Sequence, residues 1–171
     1  MRKRTELGEV RSGGPRRRSL GSGFMLEICA SGDEVSRLRL ADVVGVLRRV
    51  RIMGKVGEEF WDANLPEWLL DKFSPERTRE EKMAWLTQWR RASLEVQARM
   101  VAEQGWELMQ WAYWFGDENE EWVLWSVEAD AMNHLLKIRL KGADEQSPVS
   151  AVKWLVEQSG CHVSGMTVFQ E

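Results

Sequence analysis

The chain has 171 residues, 43% hydrophobic and 30% charged, with a net charge of −3. That length supports one domain with a real core, and the balance is that of an ordinary globular protein rather than a disordered or fibrous one. No run approaches the ~20 apolar residues a membrane span needs, so the expectation is a protein with no membrane partner. The charge is unevenly spread. Residues 1–23 hold seven Lys/Arg against two Glu, a net of +5, which leaves −8 on residues 24–171. Two cysteines, Cys29 and Cys161, are too few for a disulfide framework. They read as small buried hydrophobes in a reduced, cytoplasmic protein.

Residues 1–23 contain Gly13-Gly14-Pro15, Arg16-Arg17-Arg18 and Gly21-Ser22-Gly23 without apolar periodicity. They read as a disordered basic tail, or as an extension ahead of a natural start at Met25, in front of a single α+β domain over 24–171. Arg17-Arg18 is followed by a stretch too short, and broken by Glu27, for a twin-arginine signal. Glu27 and Ile28 stand where a lipoprotein site ahead of Cys29 needs small residues.

Phe24 to Ala30 alternates as a strand, and Ser31 to Glu34 is a turn. Val35 to Leu40 suits a second strand. Val43, Val46, Leu47, Val50 and Met53 then mark an amphipathic helix closed by Gly54 and Gly57. Glu58 to Ser74 is a connector holding a short helix, with Trp68, Leu69 and Phe73 inward. Ser74-Pro75-Glu76 predicts the start of one long helix to about Gln104, with Trp85, Trp89, Ala92, Val96 and Met100 toward the core. At ~1.5 Å per residue it would span ~45 Å, so a break or bend is expected.

Trp106 to Lys141 reads as an aromatic antiparallel meander. Five of the ten tryptophans lie between 106 and 125. The first strand would cover 106–115, the tip is Asp117-Glu118-Asn119-Glu120-Glu121, and two further strands follow at 122–129 and 135–141. Ser147-Pro148 opens a helix carrying Ala151, Val152, Leu155 and Val156 to Gly160. A closing strand at 161–169 would lie parallel to one of the meander strands, as a strand–helix–strand crossover demands. The expected fold is therefore α+β, a mainly antiparallel sheet packed on the long helix and two or three shorter ones.

Chemistry-bearing patterns are sparse. His134, His162, Cys29 and Cys161 have no structural-zinc spacing, so no metal is expected. Neither thiol has an activating neighbour, and there is no nucleophile elbow, dinucleotide fingerprint or phosphate loop, so no catalytic residue and no cofactor are assigned. The acidic tip lacks the alternating ligands of a calcium loop. What stands out is the aromatic hairpin: Trp111, Tyr113, Trp114, Trp122 and Trp125 beside Asp117, Glu118, Glu120 and Glu121. Aromatic anchors next to carboxylates suit a basic protein partner, with affinity from the rings and steering from the charges. A small acidic Trp-rich domain of this kind is similar in character to inhibitors of basic enzymes, bacterial immunity proteins against nuclease toxins among them, although no shared motif carries the similarity. The expected function is a non-enzymatic protein-binding module. Nucleic-acid binding through the Arg-rich tail and aromatic strands is the alternative, opposed by the −8 body, which repels phosphate. A ligand or enzyme site in an aromatic pocket between sheet and long helix comes third.

Overall fold

A computed structural model describes residues 6–7 and 23–170. The expectation of a disordered tail thus falls outside the described residues, apart from Gly23 and the two-residue strand β1 (Glu6–Leu7), whose backbone runs antiparallel to Val127 and Glu128. The fold is α+β: an antiparallel sheet with helices gathered over one face. Its long strands are β2 (Phe24–Ser31), β3 (Val123–Asp130), β4 (Leu135–Lys141) and β5 (His162–Gln170). The strand order is β1-β3-β4-β2-β5. No helix among the described residues is long and apolar enough to cross a membrane.

The period-2 pattern places Leu26, Ile28, Leu136, Ile138, Leu140 and Val127 on the buried face. The opposite face carries an ionic ladder. Arg139 pairs with Glu27 at 2.9 Å and with Glu128 at 2.8 Å, joining β2, β4 and β3. The β3–β4 turn closes on Asn133, whose backbone N–H and side chain both donate to Asp130, and on His134 with φ 54°. α7 (Ser150–Gln158) carries β4 over to β5, and its Ala151, Val152, Leu155 and Val156 are buried. β5 runs parallel to β4 as the crossover reading expects, but β2 lies between them and hydrogen-bonds both.

Four elements differ from the sequence reading. Residues 35–40 are the first turns of α1 (Glu34–Met53) and not a strand. Asp33 caps this helix by accepting from the Ser36 N–H at 2.7 Å, and Leu40, Val43, Val44, Leu47 and Val50 line one face. Met53, expected inward, is exposed. The connector holds two short helices, α2 (Glu58–Asn64) and α3 (Glu67–Leu70), which bury Trp61 and Leu69.

The long helix has the expected break, into α4 (Arg79–Arg91) and α5 (Leu94–Gln104), but it starts later than Ser74. Thr78 and Glu81 form a reciprocal capping box that outcompetes Ser74-Pro75 as a start. Ser74 instead donates its N–H to the Trp106 carbonyl at 2.8 Å. At the break, Ser93 caps α5, and Gln97 Nε2 reaches back to the Trp89 and Ala92 carbonyls at 2.9 and 3.2 Å. Neither helix contains a buried residue, so Trp85 and Trp89 are not core. They stack on one another at 6.3 Å, with Arg77 over Trp85.

The helical hairpin formed by α4 and α5 is tied to the body by Glu107, which is 1% exposed. Its carboxylate accepts from Arg77 Nε at 2.6 Å and pairs with Lys82 Nζ at 2.9 Å. Burial works to raise the pKa of Glu107, but these two cationic partners outweigh it and hold the carboxyl below its ordinary range.

The fourth difference lies in the aromatic stretch. Residues 108–113 are a helix, α6 (Leu108–Tyr113), and not the first strand of a meander. Leu108, Trp111, Ala112 and Phe115 follow the helical steps of three and four, and all four are buried. Apolar residues on both alternating faces had fitted a two-sided strand equally well. Burial of one helical stripe against α2 and α7 decides the matter.

Candidate partner-binding site

α6 ends at Tyr113, and the chain turns through Gly116 to Glu121 into β3. Asn119 organises this turn from inside. It is 2% exposed, donates Nδ2 to the Trp114 and Trp122 carbonyls at 2.6 and 2.9 Å, and accepts from the Glu121 N–H at 2.9 Å. The amide thus bonds two backbone carbonyls of the turn, and the acidic side chains on either side project outward. Asp117, Glu118, Glu120 and Glu121 are all exposed.

The turn abuts the end of α1. Gly54 closes α1 with φ 81°, a conformation that favours glycine, and the Asp117 carboxylate lies 2.8 Å from where a Cβ would sit. Between the two segments lies an open cleft of about 230 Å³. Trp61, Met109 and Ala112 form its apolar wall; Gly54 to Val56 form one side, and Tyr113 with Gly116 to Glu118 the other. Tyr113 is 45% exposed and leans its hydroxyl toward the Glu118 carbonyl at 3.4 Å. Lys55 spans the rim to Glu118 at 3.4 Å, and both side chains are largely exposed, so the pair is weak and readily exchanged. The volume is below the ~300 Å³ where small-molecule sites begin, which suits one or two inserted side chains better than a cofactor.

The predicted site residues therefore separate. Tyr113, Asp117 and Glu118 come together at the cleft, with Glu120 and Glu121 on the same turn. Trp111 and Trp122 are core. Trp111 is fully buried, donates Nε1–H to the Ala151 carbonyl at 3.0 Å, and touches the rings of Trp61, Phe73, Phe115 and Trp154. Trp122, 1% exposed, donates to the Pro148 carbonyl at 3.0 Å. Trp114 is half-buried, stacked on Trp122 at 6.2 Å, with Tyr113 edge-on to it at 5.5 Å. Trp125 lies outside the cleft, where β3 shifts register between Leu124 and Ser126, with Lys141 Nζ 4.2 Å from its ring.

Sequence reasoning missed the far side of the cleft, Gly54 to Val56 with Trp61, and the organising role of Asn119. The available signals were a glycine pair after α1 and one amide set in a run of carboxylates. Elsewhere, Ser31 Oγ and His162 Nε2 share a 2.7 Å hydrogen bond, a cross-strand pair with no carboxylate bonded to the ring among the described residues. Burial raises the pKa of both cysteine thiols, which disfavours the nucleophilic thiolate. Among the described residues no three His, Cys, Asp or Glu side chains are grouped to hold a metal ion. No protein-family model matches this chain, and neither the curated proteins nor the solved structures contain a detectable relative.

Proposed function

We propose that this chain is a non-enzymatic protein-binding module, of inhibitor or immunity type, that takes a basic partner at the cleft between α1, α2, α6 and the 116–121 turn. The observation that carries the reading is the pairing of an apolar wall (Trp61, Met109, Ala112 and the exposed Tyr113 ring) with a rim of Asp117 and Glu118, beyond which the same turn exposes Glu120 and Glu121. An arginine or lysine from the partner matches that chemistry: its aliphatic stem covers the wall and its charged head meets the rim. The acidic body adds long-range attraction for the same partner.

The test measures binding of the full chain to fluorescent Arg/Lys-rich peptides containing aliphatic anchors, alongside acidic control peptides. Basic peptides should bind, with affinity falling as salt rises. Tyr113→Ala and Glu118→Lys should each weaken them about tenfold or more while leaving the urea midpoint unchanged. Binding indifferent to both substitutions, or equal for acidic peptides, defeats the proposal.

A further inference from the structure

β5 is the outer strand of the sheet at the edge away from β1. It pairs with β2 on one side and, among the described residues, with no strand on the other. Its nine residues, His162–Gln170, contain no Lys, Arg, Asp, Glu or Pro. Long exposed edges normally carry such residues because an open row of N–H and C=O groups recruits another strand. Among the described residues the one guard is a register shift opposite Cys29/Ala30, which leaves Gly165 to Gln170 regular. That stretch is also apolar at its margin: Met166 is 40% exposed and Phe169 37%.

We infer that β5 is a homodimer interface, pairing antiparallel with β5 of a second copy about a two-fold axis at Thr167. The register follows from self-complementarity. An axis at Thr167 sets Met166 opposite the second copy's Val168, on the face they share with Ile28 and Leu26 of β2. It also sets Phe169 opposite Gly165 on the other face. Nothing lies within 4 Å of the position a Cβ would take at Gly165. The second copy's Phe169 fills that space, an aromatic ring over an edge glycine. No charge opposes a like charge along the strand, and one contact satisfies both open edges at once, as an isologous interface requires.

Thr167 is exposed and sits opposite Glu27 of its own sheet, so it accepts substitution without disturbing the core. Light scattering coupled to size exclusion on the full chain should give twice the chain mass. Thr167→Lys and Thr167→Glu each place like charges across the axis and should run as folded monomers, with unchanged circular dichroism. An equal mixture of the two variants should recover the dimer. A wild-type chain that stays monomeric up to near-millimolar concentration overturns the inference. So do variants that both remain dimeric, or a mixture no more dimeric than its components.

Discussion

The tryptophans around α6 and those of the α4–α5 hairpin are the same side chain in opposite circumstances. Trp61, Trp111 and Trp122 are at most 2% exposed, and the last two donate their N–H groups to the Ala151 and Pro148 carbonyls. Trp85 and Trp89 sit on helices with no fully buried residue, stacked on each other and held near the body through Arg77, Lys82 and Glu107. A large ring stabilises a fold in proportion to the surface it removes from water, and a buried indole contributes that only when its N–H finds an acceptor. α6 supplies both conditions. The hairpin supplies neither in full: its indoles are half-buried, and Trp89 Nε1 has no hydrogen-bond partner.

The contrast can be broken by mutation. Trp111→Ala should have the largest effect, roughly 3–5 kcal/mol of lost stability by urea unfolding, because it opens a cavity among four aromatic rings and removes the hydrogen bond to the Ala151 carbonyl. Trp85→Ala should cost only about 1 kcal/mol, since its site is already open to solvent. Equal losses would mean that the hairpin belongs to the cooperative core.

Arg77→Ala should fall between them, at about 2–3 kcal/mol, because it leaves the buried Glu107 carboxylate with Lys82 alone. The same contact predicts a pH dependence. The folded-state pKa of Glu107 is depressed, so its contribution is fully present above the unfolded value of about 4.3 and is lost as pH falls through the folded value. Hairpin protection from proteolysis should therefore decline on acidification through that window, and Glu107→Gln should remove the dependence. The smallest effect belongs to Leu94→Ser: Leu94 is 84% exposed, and the change should stay within about 0.5 kcal/mol. A larger loss would show that this helix face is covered in solution.

The candidate site was partly legible for a physical reason. Carboxylates in a Gly-Asp-Glu-Asn-Glu-Glu run must be solvated, so Asp117, Glu118, Glu120 and Glu121 could be placed on the surface before any coordinates. Tyr113 could not be told apart from Trp111 by type, because both are aromatic and two residues apart. Two residues are about half a turn of α6, which sends Trp111 inward and leaves Tyr113 at the surface. The opposite wall, Gly54 to Val56 with Trp61, lies more than fifty residues away in sequence, and the glycine pair after α1 marks a helix end without saying what it faces.

Local chemistry was enough for the elements whose signals agree. Strict alternation marked β2 and β4, the apolar stripe and Gly160 marked α7, and a strand pattern after Gly160 marked β5. These follow from backbone period and capping, which neighbouring residues alone decide. Tertiary structure decided the rest. It made 106–115 a helix, since a run apolar on both faces satisfies two periods and only packing against α2 and α7 separates them. It set the α4–α5 pair off the core. It also inserted β2 between β4 and β5, because strand order depends on which edges meet and no local pattern encodes that.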